Sequence, residues 1–162
     1  MKWIKKIFIG HKVSKQSKVP GKHNMVKFDQ IRHISIIAES EAEAIEAQRA
    51  LPSHWSHSVN LHCIFKEKNP AMECFDYEDF NLLGKPNEKI KEFASQSADL
   101  VLVTQEEMDP LSAHVLQMLP QVYRVGFYNE THQVHLDFML KKENISLTEN
   151  IDNLIKYLKK IN

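Results

Sequence analysis

The sequence predicts a single three-layer α/β domain with a mixed, mostly parallel sheet of about five strands. Three observations indicate this class. Residues 98–128 have the pattern of a buried strand, a capped helix and a second strand. Predicted strands and helices alternate along most of the chain, as in proteins built on parallel sheets. A length of 162 residues with 43% hydrophobic content suits one globular domain with a sizeable core.

The charge of the chain is unevenly distributed. Residues 1–30 contain eight lysines and one acidic residue, so they carry +7, and residues 31–162 carry −7 because the whole chain sums to zero. We therefore expect residues 1–30 to form a basic arm and linker, and residues 31–162 to form the α/β domain. Such an arm indicates an anionic partner.

Residues 2–9 alternate lysines with large apolar residues. On a helix the apolar residues share one face and the lysines lie largely on the other, which is typical of a short interfacial helix. Two partners remain open: a membrane surface, with tryptophan as anchor, or RNA or a ribosome contacted through the lysines. A solvated or self-packed extension is the third alternative. The candidate contact residues are Lys2, Trp3, Lys5, Lys6, Lys12, Lys15 and Lys18.

The first strand of the domain is predicted at residues 33–38 (HISIIA), followed by a helix at residues 42–51. Ser40 and Glu43 have the spacing of a capping box at the start of that helix. The turn before the helix is acidic and has no glycine, so we expect no dinucleotide phosphate to bind there. The next elements are a strand at 58–66, an irregular segment or short edge strand at 72–80, and a helix at 87–95.

The second half of the chain contains the clearest signals. Residues 99–103 (DLVLV) form an apolar run typical of a strand covered on both faces. Asp109 and Pro110 predict the start of a helix, because an acidic N-cap followed by proline favours initiation. Gly126, inside a strand predicted at 123–128, indicates a bulge or the close approach of another backbone.

The last elements are predicted from alternation and capping. Residues 134–139 (VHLDFM) alternate in hydropathy, which predicts a half-solvated strand and an antiparallel hairpin at the sheet edge. Ser146 and Glu149 have the spacing of a capping box for a final helix. Its apolar stripe consists of Ile151, Leu154, Ile155, Leu158 and Ile161.

This order of elements is that of a Rossmann-like or flavodoxin-like domain. The basic start, the Leu-Leu-Gly-Lys-Pro segment at 82–86 and the predicted hairpin resemble a family of small bacterial proteins of unknown function, over essentially the whole chain. That resemblance implies no catalytic residues. Residues 98–128 are also similar to a segment of the N-terminal domain of bacterial heptosyltransferases. Those enzymes have a typical Ile-Asp-Leu-Gln pattern at the end of the strand, where this chain has Val103, Thr104 and Gln105. They also have a second domain, for which this chain has no room. The likeness therefore implies a shared architecture and no glycosyl transfer.

Ligands of open parallel sheets bind beyond the carboxyl ends of the strands. We call the residues predicted there the crest: Glu39, Ser40, Lys66, Glu67, Thr104, Gln105 and Glu106. The candidates for ligand binding among them are Glu39, Ser40, Thr104, Gln105 and Glu106. A polar and acidic crest suits a polar ligand or a divalent ion held by carboxylate oxygens. The alternative is that Ser40 only caps a helix and Glu106 is solvated.

We expect no catalytic residue, no metal and no cofactor. Walker and Gly-x-Gly-x-x-Gly patterns do not occur. His54 and His57 fall in a loop, while His62 and Cys63 are adjacent in a strand and point to opposite faces, so they do not converge on zinc. Apolar neighbours are expected to raise the pKa of the Cys63 thiol and make it a poor nucleophile.

These patterns favour a non-enzymatic binding or adaptor module whose basic arm contacts an anionic surface. Two cysteines indicate a reducing, cytoplasmic location, and no stretch is long enough to span a membrane. The basic arm adds the expectation of a peripheral position at the inner face of the membrane. The alternative is a domain that binds a small polar ligand, or acts as an enzyme, at the crest. A homodimer through the edge hairpin or last helix is a third option. We expect no sequence-specific binding of nucleic acid.

Overall fold

The computed structural model describes residues 1–16, 23–68 and 73–162. Within them, six strands form one sheet in the order β3-β2-β1-β4-β5-β6, with every neighbouring pair parallel. This is the order of doubly wound sheets in which two βαβαβ halves meet between β1 and β4. The strands are β1 (His33–Ala38), β2 (Asn60–Lys66), β3 (Cys74–Phe75), β4 (Leu100–Val103), β5 (Tyr123–Phe127) and β6 (Phe138–Leu140).

Helices cover both faces of the sheet, which confirms the three layers of the α/β prediction. They are α1 (Lys2–Gln16), α2 (Glu41–Ala50), α3 (Glu88–Ser95), α4 (Pro110–Met118) and α5 (Leu147–Ile161). One apolar core joins the sheet to α2 and α5. The other joins it to α3, α4 and α1, which contributes the buried Ile9 and Val13. Among the described residues, none of the helices is long and apolar enough to cross a membrane.

The predicted antiparallel hairpin at the sheet edge is wrong, and the sheet has six strands rather than five. After β5 the chain enters a short 3₁₀ helix at Glu130–Val134, capped by the Asn129 side chain. This crossover carries the chain back along the sheet before Phe138–Leu140 pairs with β5 in parallel. The alternating segment therefore contains only a three-residue strand.

His132 anchors this crossover from a fully buried position. Its Nδ1–H donates to the carbonyl of Phe127 (2.9 Å), and its Nε2 accepts from the N–H of Met108 (2.8 Å). Both ring nitrogens are therefore satisfied by backbone groups. The histidine joins the end of β5 to the loop between β4 and α4.

The local helix signals proved reliable. Asp109 caps α4 by accepting from the N–H of Ser112 (2.8 Å). Ser146 and Glu149 form a reciprocal capping box at the start of α5. These caps confirm two predicted helix starts, because side chains there satisfy backbone N–H groups that have no partner within the helix.

Candidate functional site

The crest lies where the strand order changes direction. Glu39 follows β1 and Thr104 follows β4, and these two strands are neighbours in the sheet. Four of the five predicted ligand-binding residues meet at this edge: Glu39, Ser40, Thr104 and Gln105. Glu106 is exposed and has no hydrogen bond or ion pair within the part of the chain that the structure describes.

Thr104 joins the two halves of the crest. Its buried hydroxyl accepts from the N–H of Glu39 (3.3 Å) and donates to the carboxylate of Glu43 (2.7 Å). Ser40 caps α2 by accepting from the N–H of Glu43 (3.3 Å), as predicted. The predicted capping box is incomplete because the Glu43 carboxylate bonds to Thr104 instead. These contacts hold the start of α2 to the end of β4.

A lysine from β2 lies among the crest carboxylates. Lys66 pairs with Asp109, and its Nζ lies 3.5 Å from a Glu39 oxygen. Burial lowers the pKa of Lys66, but the hydrogen bond and charge of Asp109, together with Glu39, outweigh burial and raise it. The ammonium group therefore offsets the charge of Asp109 and of Glu39, one of the acidic residues to which the sequence assigned a divalent ion. In residues 1–16, 23–68 and 73–162 no cluster of three or more metal-ligating side chains occurs.

Gln105 presents a free acceptor at the crest. The residue is 2% exposed, and its Nε2 donates to the Ser112 hydroxyl (2.8 Å). Its Oε1 is buried and has no hydrogen-bond partner among the described residues. Such an unpaired buried group costs about 1–3 kcal/mol, so Gln105 is an exception to the rule that buried polar groups are paired.

Sequence reasoning missed Asp109 and Glu43 as crest residues, since both were assigned only to helix starts. Asp109 uses Oδ1 to cap α4 and Oδ2 to bind Lys66. A helix that follows a parallel strand begins at the carboxyl edge of the sheet, so its N-cap acid belongs at the crest. This rule could have identified Asp109 as a crest residue from the sequence.

The basic N-terminal segment contains α1, and three of its lysines contact the domain. Lys5 Nζ donates to the carbonyl of Tyr77 (3.1 Å), and Lys2 Nζ lies 3.5 Å from the carboxylate of Asp76. Lys6 Nζ lies 5.6 Å from the centre of the Tyr77 ring. The inward side of α1 is thus lined partly by lysines.

Helix α1 has two apolar sides: Ile9 and Val13 are buried in the core, whereas Trp3, Ile7 and Phe8 are exposed. Trp3, Ile7 and Phe8 are 65%, 61% and 46% exposed. A surface helix of a globular protein normally turns its apolar residues towards the core, and these three side chains depart from that rule. The remaining predicted contact residues are Lys12 and Lys15, which line a cleft beside α4, and Lys18, which lies outside the described residues.

Cys63, His54 and His57 have surroundings that differ from one another. Burial raises the pKa of the Cys63 thiol to about 11, in the predicted direction, so the nucleophilic thiolate is scarce at neutral pH. His54 pairs with Asp152 (2.8 Å), and the ring of His57 lies 2.7 Å from the carbonyl oxygen of Ile31. The two rings therefore have separate partners.

Comparison with known proteins was made on sequence and on structure. A family model described as a family of unknown function (DUF6913) matches residues 5–161, which include the whole sheet and most of α1. No curated protein and no solved structure matches the chain, so the likeness to heptosyltransferases has no support from them. Because the match covers nearly all of its length, the protein belongs to the family of unknown function DUF6913.

Proposed function

We propose that this protein is a peripheral membrane-binding module whose helix α1 docks on an anionic lipid surface, at the cytoplasmic face. The observation that carries the proposal is the exposed apolar side of α1, formed by Trp3, Ile7 and Phe8. Tryptophan with large aliphatic and aromatic neighbours is the usual composition of an interfacial helix. Full burial of each such side chain is worth about 1.5–3 kcal/mol.

The charge of α1 complements such a surface. The helix contains five lysines and no acidic residue. Lys6 and Lys15 are exposed, and the Lys2 side chain remains 58% exposed despite its contact with Asp76. Each lysine near an anionic leaflet contributes about 1 kcal/mol of attraction. Apolar insertion and electrostatic attraction thus act on the same helix.

Two other occupants fit the exposed face less well. RNA is contacted mainly through free cations, whereas Lys2, Lys5 and Lys6 also bind Asp76 and Tyr77, and an exposed isoleucine offers nothing to phosphate. A second copy of the chain needs about 20–30 residues on each side for a stable interface. The three-residue patch of Trp3, Ile7 and Phe8 is small by that measure.

Co-sedimentation of the full chain with vesicles of phosphatidylglycerol and phosphatidylcholine tests the proposal. We expect binding that weakens with salt, and an Ile7→Ser variant that partitions about tenfold more weakly. Ile161→Ser is the matched control, because Ile161 is also a helical isoleucine and is 60% exposed, against 61% for Ile7. Trp55 is buried, so a shift in tryptophan fluorescence on binding reports Trp3.

Three results would contradict membrane docking. Equal vesicle binding by wild type and Ile7→Ser excludes α1 as the docking element. A concentration-dependent dimer that Ile7→Ser dissociates assigns the face to a second copy. Salt-sensitive retention on RNA without vesicle binding assigns the basic segment to nucleic acid.

The crest supports a second candidate, the binding of a small polar ligand. The specific observation is the buried, unpartnered Oε1 of Gln105 beside Thr104 at the switch point of the sheet. Titration with Mg²⁺, followed by NMR, tests a divalent ion as this ligand, and saturable shifts of the Gln105 side-chain amide and the Thr104 amide would support it. Unchanged signals would exclude a divalent ion. The pairing of Lys66 with Asp109 and Glu39 favours that result, because the carboxylates already have a cation beside them.

A further inference from the structure

A basic cleft of about 410 Å³ lies between α1, α4 and the loop of residues 81–86. Lys12 and Lys15 line it from α1, and Lys85 lines it from the loop. Gln117, Met118 and His114 contribute from α4, and none of the described residues that line it is acidic. This cleft contains the Gly-Lys-Pro part of the Leu-Leu-Gly-Lys-Pro segment, which the proposed docking of α1 does not use.

The three lysines are not neutralised by any of the described residues. None of them has a salt bridge in the part of the chain that the structure describes, whereas several other lysines do. Three cations around one small cleft repel each other, and a multiply charged anion would relieve that repulsion. The lining thus favours an anion rather than a neutral ligand.

The loop that carries Lys85 is held in one conformation. The Asn81 side chain accepts from the N–H groups of Leu83 and Lys85, each at 2.9 Å, and the Asn81 N–H donates to the carbonyl of Lys85 (2.9 Å). Gly84 has φ +71°, a conformation that glycine adopts readily. The backbone at Lys85 is therefore fixed before a ligand binds, which lowers the entropic cost of binding.

His114 connects the loop to the floor of the cleft. The residue is 5% exposed, and its Nε2–H donates to the carbonyl of Gly84 (2.8 Å). In the neutral ring Nδ1 is then an unprotonated acceptor, and it has no partner among the described residues. Burial lowers the pKa of His114, and the charge of Lys12 lowers it further, against the hydrogen bond to Gly84.

We propose that this cleft binds a phosphomonoester group through Lys12, Lys15 and Lys85. A phosphomonoester carries about −1.5 to −2 charges at neutral pH and offers three acceptor oxygens. Lysine suits it as a compact cation. The group belongs either to a soluble metabolite or to a lipid headgroup. The site stands without insertion of α1, but Lys12 and Lys15 share that helix with the docking face, so a lipid would engage both.

Titration of the full chain with inorganic phosphate and with glycerol 3-phosphate, followed by NMR in about 0.15 M chloride, tests the site in solution. We expect saturable shifts at Lys85 and His114, with a dissociation constant of about 1 mM. The pKa of His114 should rise on binding, because the anion offsets the charge of Lys12. Lys12→Gln or Lys85→Gln should weaken binding about tenfold. Lys141→Gln, an exposed lysine of the loop after β6, should leave it unchanged.

Binding to vesicles distinguishes a lipid headgroup from a soluble metabolite as the source of the phosphomonoester. Tighter binding to phosphatidic acid than to phosphatidylglycerol at matched surface charge, lost in Lys85→Gln, identifies a lipid headgroup. Saturable binding in solution without that preference identifies a soluble ligand. Absence of both, or equal weakening by Lys141→Gln, overturns the site. Failure of the site leaves vesicle binding that depends on Ile7 intact, and failure of membrane docking leaves phosphate binding in solution intact.

Discussion

Gly126→Ala should lower the free energy of unfolding by about 3 kcal/mol, near the upper end for overpacking in a core. A Cβ atom at this position would lie 2.9 Å from the backbone oxygen of Val103 and 2.9 Å from Cδ1 of Leu136. A leucine methyl can rotate away, but the Val103 carbonyl belongs to the β4 ladder and cannot. Urea unfolding followed by circular dichroism measures the change as a lower midpoint at constant m value.

Gly10→Ala is the control for this experiment. Gly10 lies within α1, and a Cβ added there has no atom within 4 Å. Alanine should therefore stabilise the helix by about 0.5–1 kcal/mol, the usual helical preference over glycine. An unfolding midpoint of Gly126→Ala equal to that of wild type would show that β4 and β5 are not packed as described.

The role of Gly126 shows what a single sequence can disclose. A glycine inside an apolar strand predicted either a bulge or a close backbone approach, and the second alternative is the correct one. The ladder from β4 through Gly126 to β6 continues without an extra residue, so there is no bulge. Apolar runs and helix caps were likewise predictable, because the interactions that fix them lie within a few residues.

Strand direction at the sheet edge was not predictable on the same basis. Alternation in residues 134–139 is compatible with parallel and antiparallel pairing, and the commoner short connection is a hairpin. The direction is decided by the crossover at Glu130–Val134 and the burial of His132, which are tertiary features. The predicted hairpin therefore failed where local pattern and tertiary packing disagree.

At the crest and on α1, too, local sequence patterns did not predict the tertiary contacts. The sequence placed Glu39 and Thr104 at one edge, because the carboxyl ends of parallel strands meet there. It did not reveal that Lys66 reaches Asp109, since that pair joins residues from separate elements. On α1 the division into two faces was visible in the sequence. Which side turns to the domain depends on tertiary contacts, namely the packing of Ile9 and Val13 in the core and the lysine contacts with Tyr77 and Asp76.

His132→Phe should lower the free energy of unfolding by about 2–4 kcal/mol, although phenylalanine nearly preserves the volume. The substitution removes both ring nitrogens, so the Met108 N–H and the Phe127 carbonyl lose their partner in a buried place. Each unpaired backbone group costs about 1–3 kcal/mol. His132→Ala should cost more, because it also creates a cavity. His11→Ala, at an exposed position of α1, should change stability by less than about 0.5 kcal/mol.

Hydrogen exchange separates the hydrogen bonds of His132 from its packing. In His132→Phe the Met108 amide should exchange faster than in wild type by more than the loss of global stability explains, because its acceptor is gone. Met108 belongs to the loop that connects Gln105 to Asp109, so the crest loosens with it. Unchanged protection of Met108 would mean that another acceptor holds this loop, and that the two sides of the crest are joined through Thr104 and Lys66 without His132.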